Sequence, residues 1–152
     1  MRFKEPEVLF DQGKAELKEK FKVILDDFFP RYIKLLFTKY KDNIEEIRIE
    51  GHTSSEWMEY KIDPETAYFK NMELSQDRTR SVLIYVLQMI KDDTLKQWAR
   101  DKITANGLSS SKLIIKPNGE EDKEASRRVE FRVRTDAESQ IGKILAQQER
   151  AK

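Results

Sequence analysis

An alternation of apolar and charged residues between Arg127 and Arg134 most restricts how this chain can fold. Val129, Phe131 and Val133 fall on one side of the alternation, and charged residues fall on the other. A period of two is typical of a β-strand with one buried face. The chain is therefore predicted to build a sheet whose apolar side is covered by another layer.

Helices are predicted to form that covering layer. Apolar residues recur at helical spacing from Leu17 to about Tyr40, and Pro30 is predicted to kink this helix or to start a new one. A second helix is predicted from Asn71 to about Ile90. Helical spacing continues from Leu95 to Ile103, until Asn106–Gly107 ends it.

Three further segments are predicted to be strands. They are Glu7–Phe10, the residues around Ile47 and Ile49, and Lys112–Lys116, while Ser54–Phe69 is predicted to be a long loop. The order strand, helix, strand, helix, strand, strand predicts an α/β sandwich. In this fold class, helices pack on one face of a mixed sheet of about four strands.

The 152 residues suit one domain, predicted to span residues 1–136. Residues 137–152 are predicted to form a polar tail with helical propensity. The apolar stripe of this tail consists only of Ile141, Ile144 and Leu145. So thin a stripe fits a solvated extension, or a helix that becomes ordered on a partner.

Composition and motif content exclude several classes of function. Lys and Arg number 29 against 28 Asp and Glu, so a net charge of +1 provides no field to attract nucleic acid or an anionic membrane. The chain has no cysteine and a single histidine, which excludes thiolate and histidine-cluster metal sites. No phosphate-binding loop is present. We therefore expect a protein that is not an enzyme and that uses no metal or cofactor.

Two segments together are distinctive. Ile47–Thr53 ends in Glu-Gly-His-Thr, and Asn71–Val82 opens with the pattern Asn-x-x-Leu-Ser-x-x-Arg. In this order they resemble the OmpA-like C-terminal domain, which also occurs in the MotB stator protein and the Pal lipoprotein. Ser126–Glu130 is similar to the closing strand of that family, and Val8–Asp11 to its opening strand and turn. The similarity runs from about residue 7 to residue 134.

The resemblance implies a βαβαβ-type fold and non-covalent binding to the peptide stem of peptidoglycan, at its diaminopimelate residue. Such a domain would anchor an envelope protein to the cell wall from the periplasm. The ligand group is a zwitterion, with a carboxylate and an ammonium on one small centre. A guanidinium can bind the carboxylate through two parallel hydrogen bonds.

The resemblance implies a role for each residue of this chain that matches a functional position of the family. Arg78 matches the carboxylate-binding arginine of the family, Asn71 opens the same helix, and Thr53 lies in the same loop. The residues expected to bind the ligand are Thr53, Ser54, Glu56, Asn71, Arg78 and Arg127. The residues expected to have structural roles in the motif are Gly51, His52, Leu74, Ser75 and Arg128.

Ser54 departs from the family pattern, in which an aspartate that contacts the ligand follows the Gly-His-Thr sequence. A serine supplies no negative charge for the ligand's ammonium. Charge-assisted hydrogen bonds contribute about 1.5–3 kcal/mol, so affinity could fall roughly tenfold to a hundredfold. Glu56, two residues further on, is our hypothesis for a replacement charge.

Three residues have a second interpretation. Arg78 could form a structural ion pair with Glu50 or with another acid. His52 fits packing at the end of a strand better than a ligand contact, and Trp57 fits equally well as a loop anchor in the core or as a platform for sugar rings.

A second function is also compatible with the resemblance. The domain would then be an interaction or dimerisation module that has kept the fold and relaxed wall binding. Its partners would be a second copy or a membrane stator-type complex, in motility, transport or phage defence. An enzyme acting on wall peptides ranks last, because the sequence offers neither a nucleophile arrangement nor a metal site.

Overall fold

The structure is a computed structural model that describes residues 1–4, 6–58 and 60–151. Its helices and strands follow the chain in this order: β1 (Arg2–Phe3), α1 (Pro6–Leu9), α2 (Glu19–Leu35), a π-helical turn (Leu36–Tyr40), β2 (Ile44–His52), α3 (Pro64–Met89), α4 (Asp93–Lys102), β3 (Ile103–Gly107), α5 (Lys123–Ser126), β4 (Arg128–Thr135) and α6 (Ala137–Arg150).

The four strands form one mixed sheet in the order β1-β4-β2-β3. β4 is antiparallel to both of its neighbours, whereas β2 and β3 are parallel. A parallel pair needs a crossover, and α3 and α4 supply it between β2 and β3. The predicted α/β class and the mixed sheet of four strands are therefore confirmed.

The hydrophobic core lies between the helices and one face of the sheet. Ile47 and Ile49 of β2 are fully buried there, beside Val129 and Phe131 of β4. The helices contribute further buried apolar side chains to the same cluster: Phe21, Leu25, Phe29, Ile33, Val82, Val86 and Ala99. This is the one-sided arrangement that the alternating strand pattern predicts.

The opposite face of the sheet is charged, but it is not uniformly exposed. Arg128 and Glu130 of β4 are 5% exposed, although the alternation places them on the predicted solvent side. Arg128 donates to the carbonyls of Ser126 (3.0 Å) and Lys112 (3.2 Å) and to the Glu130 carboxylate (2.7 Å). The prediction of a single buried face is wrong at this end of β4, because ion pairing and backbone contacts compensate the buried charges.

Two helix predictions need correction. Pro30 does not start a new helix: α2 is continuous from Glu19 to Leu35, and Pro30 is exposed between the buried Phe29 and Ile33. α3 begins well before Asn71, so much of the predicted loop is helical. Asp63 caps its first turn by accepting a hydrogen bond from the Thr66 amide (2.9 Å), and Pro64 occupies the first helical position.

Two strand predictions and one further helix prediction are also wrong. Glu7–Phe10 is not a strand, since Pro6–Leu9 is helical and Phe10 forms only an isolated bridge with Leu17. Lys112–Lys116 contributes only one isolated bridge, from Ile115. Ile103–Gly107 is a strand and not the end of a helix, because it pairs in parallel with β2.

Two glycines let α3 lie close against the sheet. A Cβ on Gly107 would lie 2.3 Å from the Gln76 backbone nitrogen, and one on Gly51 would lie 2.9 Å from the Ser75 carbonyl oxygen. Any larger residue would push α3 away from β2 and β3. This close approach fixes α3 relative to the end of β2.

The C-terminal segment forms helix α6, with Ile141, Ile144 and Leu145 each more than half exposed. The segment from Ala137 to Arg150 is helical, while the division into a domain and a tail at residue 136 stays a prediction. Among the described residues, no helix is both long enough and apolar enough to span a membrane.

Candidate functional site

A cavity of about 380 Å³ opens where β2 ends and α3 passes over it. All six residues that the sequence suggested for ligand binding line this cavity: Thr53, Ser54, Glu56, Asn71, Arg78 and Arg127. Its other lining residues are Glu7, Phe10, Asp11, Gln12, Gly13, Lys18, Trp57, Met58 and Leu74. The fold therefore brings these six positions together, whereas their role in binding stays a prediction.

Asn71 holds the loop that follows β2. Its side chain is buried, and the amide nitrogen donates to the carbonyls of Glu56 (2.9 Å) and Ser54 (3.3 Å). These two hydrogen bonds, which the loop carbonyls accept, fix the path of the loop against the first half of α3. Asn71 thus shapes one wall of the cavity through the backbone it holds.

Arg78 forms another wall, together with the turn before α2. Its Nε donates to the Lys14 carbonyl (2.8 Å) and its Nη2 to the Asp11 carbonyl (3.1 Å). The guanidinium also lies 4.7 Å from the centre of the Phe10 ring. Glu50 pairs with Arg132 across the sheet (3.3 Å), and Arg78 forms no ion pair with any acid that the structure describes.

Arg127 adds a second guanidinium to the cavity. Burial and the positive charge of Arg127 lower the pKa of Arg78 to about 10, although Arg78 stays charged at neutral pH. The Nε of Arg127 is buried without a hydrogen-bond partner among the described residues. A ligand carboxylate is the kind of group that would compensate both cations.

The junction between β2 and its loop is fixed by a residue that the sequence did not reveal. The Thr53 amide donates to the Ser109 carbonyl (2.9 Å), and the Ser109 amide donates to Ser75 Oγ (3.1 Å). Ser109 adopts a φ of +52°, which is unusual for a residue other than glycine. Ser75 thus links α3 to the loop after β3, in keeping with a structural role.

A second loop closes the rim of the cavity. The Glu121 carboxylate accepts from the Ser55 amide (2.9 Å), and the Lys123 ammonium pairs with the Glu56 carboxylate. Glu56 therefore already forms an ion pair with Lys123. To bind a ligand ammonium, as predicted, its carboxylate would have to give up this pair.

Trp57 lies on the same rim and is half-buried. The Lys70 ammonium lies 5.5 Å from the centre of its ring. Both predicted roles of Trp57 remain open, since its ring is part of the cavity lining and is only partly covered.

The structural motif residues fall mostly behind the cavity. Leu74 lines the cavity itself, whereas Gly51, His52, Ser75 and Arg128 surround a smaller space behind it. His52 is 4% exposed. Burial, and then the positive charge of Arg128, lower its pKa to about 4, so the ring is neutral at pH 7.

His52 also lies near two buried carboxylates. Ligand atoms of Glu50, His52 and Glu130 lie within 4.8 Å of one another, which is a spacing that a metal ion could use. Arg128 binds Glu130 (2.7 Å) and Arg132 pairs with Glu50 (3.3 Å), so arginines already neutralise both acids. A divalent cation would add charge beside these cations, and the set is best described as an ion-pair network.

The chain belongs to the OmpA family, whose model matches residues 9–128. The matched region contains β2, α3 and the loops that build the cavity. It leaves out β1, most of β4 and all of α6.

Among curated proteins, the chain is similar to Zorya protein ZorB of Escherichia coli, with 53% identity over 145 residues. The alignment covers 95% of this chain and 61% of that relative, so the chain spans about three fifths of the relative's length.

Two solved structures show the same fold at low sequence identity. The periplasmic domain of Helicobacter pylori MotB is 15% identical, with a TM-score of 0.59, covering 97% of this chain and 83% of that chain. The cell wall anchor of the T6SS from Pseudomonas aeruginosa is 18% identical, with a TM-score of 0.53, covering 88% of this chain and 79% of that chain.

Proposed function

We propose that this domain binds peptidoglycan without covalent bonding and anchors an envelope protein to the cell wall from the periplasm. The observation that carries the proposal is the cavity at the end of β2, where Asn71, Arg78 and Arg127 converge. Membership of the OmpA family and the likeness to a cell wall anchor support the same function.

The proposed ligand is a stem peptide that contains diaminopimelate. Arg78 is held in place by two backbone carbonyls and by the Phe10 ring, so little side-chain freedom would be lost when it binds a carboxylate. Asn71 would keep the Thr53–Glu56 loop in position for the ligand backbone. The proposed activity is binding without catalysis, since the single histidine is buried behind the cavity.

Co-sedimentation with insoluble peptidoglycan sacculi tests the proposal. We expect the wild-type domain to pellet with sacculi and Arg78→Ala to remain in the supernatant. Arg80→Ala is the matched control, because Arg80 lies on α3 with a 70% exposed side chain and, among the described residues, pairs only with Asp77 in its own helix. A cooperative thermal transition for each variant would show that loss of binding is not loss of fold. Wild-type protein that stays in the supernatant would contradict the proposal.

A second candidate is an interaction module of a stator-type membrane complex, with weakened wall binding. The observation that favours it is the exposed stripe of Ile141, Ile144 and Leu145 on α6. Similarity to ZorB and to MotB is consistent with this role. Homodimerisation through α6 is the simplest form of it.

Sedimentation equilibrium tests the second candidate. If α6 mediates a dimer, Ile144→Glu should give a monomer, whereas Ala146→Glu on the other side of the helix should leave the dimer intact. A monomeric wild-type domain across the micromolar range would exclude homodimerisation through α6.

A further inference from the structure

The cavity is lined by two cations that no acid among the described residues compensates with an ion pair. Arg78 and Arg127 both face it, and neither forms an ion pair with any residue that the structure describes. The position that the family fills with an aspartate holds Ser54, which is 4% exposed and neutral. The lining around Arg78, Arg127 and Ser54 therefore carries positive charge.

The acids that line the cavity lie at its rim. Glu7, Asp11 and Glu56 are all exposed. Asp11 pairs with Lys18 (3.5 Å), and Glu56 pairs with Lys123. Exposed pairs of this kind are screened by solvent and salt, so their acids offset the half-buried charges of Arg78 and Arg127 only weakly.

We propose that this cavity recognises the carboxylate of its ligand through Arg78 and Arg127 and has no requirement for the ligand's ammonium group. The inference rests on the proposed function and specifies the ligand chemistry of the same site. A stem peptide in which diaminopimelate is replaced by 2-aminopimelate, which keeps the distal carboxylate and lacks the distal amine, should bind as well as the natural form.

The physical reason is charge balance. An ammonium that enters the cavity loses its hydration and lies near two guanidinium groups, and no described residue of the lining offers it a buried carboxylate. The Ser54 hydroxyl can accept one hydrogen bond from it but supplies no charge. A carboxylate in the same place gains two cationic donors, one of which has a buried nitrogen without a partner among the described residues.

Calorimetric titration of the whole chain with three synthetic tripeptides tests the inference. Each has the sequence L-Ala-γ-D-Glu-X, where X is diaminopimelate, 2-aminopimelate, or diaminopimelate amidated at its distal carboxylate. We expect the first two to bind within about threefold of each other. The amidated peptide should bind about tenfold to a hundredfold more weakly, because it loses charge-assisted hydrogen bonds.

Two variants sharpen the assignment. Ser54→Asp should restore a preference of at least about tenfold for diaminopimelate over 2-aminopimelate, since it returns a partner for the ammonium. Arg127→Gln should reduce the penalty for amidation, whereas Arg80→Gln, on the exposed side of α3, should leave the three affinities unchanged.

The outcomes separate this inference from the proposed function. A loss of tenfold or more for 2-aminopimelate in the wild-type protein overturns the inference and leaves wall binding intact. Binding of none of the three peptides also overturns it. Sedimentation with sacculi then decides independently whether the wall-anchor function fails too.

Discussion

The guanidinium of Arg78 lies 4.7 Å from the centre of the Phe10 ring, while two of its nitrogens donate to the carbonyls of Asp11 and Lys14. One side chain of α3 therefore fixes the turn that precedes α2. The same group faces the cavity. Arg78 is therefore expected to contribute both to ligand binding and to the stability of the turn before α2.

Arg78→Lys should therefore lower the free energy of unfolding as well as affinity. A lysine cannot donate to both carbonyls in the geometry of the planar guanidinium, so we expect a loss of about 1–3 kcal/mol in urea denaturation. Arg80→Lys, which alters an exposed ion pair, should change stability by less than about 0.5 kcal/mol. Equal stability of the two variants would show that the contacts of Arg78 to the turn contribute little.

Gly107→Ala should separate α3 from the sheet. The added Cβ would lie 2.3 Å from the Gln76 backbone nitrogen, which cannot move without shifting the helix. Overpacking of this kind costs about 1–3 kcal/mol. Gly142→Ala is the matched control, because its Cβ would meet no atom within 4 Å, and alanine should stabilise α6 by about 0.5–1 kcal/mol. Thermal denaturation of both variants measures the difference.

Stability should depend on the protonation of His52. Burial and Arg128 lower its folded-state pKa to about 4, whereas in the unfolded chain it is about 6.5. The unfolded state therefore binds a proton first as the pH falls. The contribution of His52 to the free energy of unfolding is therefore fully present above pH 6.5. It declines as the pH falls towards 4, by up to about 1.4 kcal/mol per pH unit.

His52→Gln should remove this slope. The comparison is best made between pH 6.5 and 5, because the pKa of Glu130 is also lowered and its own loss of stability develops at lower pH. Urea denaturation of wild type and variant at half-unit intervals measures both slopes. Parallel curves would show that His52 does not titrate differently in the two states.

Glu121 should control the mobility of the loop after β2 with little effect on global stability. Its carboxylate accepts a hydrogen bond from the Ser55 amide (2.9 Å) at an exposed site. In Glu121→Ala, we expect faster amide exchange at Ser55 and a melting temperature within about 2 °C of wild type. Glu124→Ala, a neighbouring exposed acid, should leave the Ser55 exchange rate unchanged.

Local patterns predicted the fold class, and the resemblance to the OmpA family predicted six of the residues that line the cavity. The alternation after Arg127 determines which face of β4 is apolar, and the paired motifs bring Thr53 and Asn71 to one place. Both signals are local, and the match of the OmpA model to residues 9–128 agrees with them.

Several of the errors concern interactions between distant residues. Ile103–Gly107 has helical spacing but pairs with β2, more than fifty positions earlier in the chain. The apolar run Val8–Phe10 is typical of a strand, yet Leu9 and Phe10 reach the core from a short helix and the residue after it. No local pattern indicates that Ser109 supports the loop after β2, because its role depends on Thr53 and Ser75.

Glu56 illustrates the same limit within the site. Its proximity to Ser54 suggested a replacement charge for the missing aspartate. Lys123, 67 positions away, pairs with its carboxylate, and no local pattern could have revealed this.

The arrangement of β2 and β4 also has a mechanical consequence. The cavity lies at the C-terminal end of β2, while α6 leaves the sheet at the opposite end, where the Asp136 amide donates to the Asn43 carbonyl (3.0 Å). Tension between a bound ligand and α6 would pull β2 and β4 past each other along their lengths. Their eight register pairs would then bear the load together, because hydrogen bonds between antiparallel strands lie perpendicular to the pull. A pull in this direction therefore loads the hydrogen bonds between β2 and β4 in shear, and does not separate the strands one pair at a time.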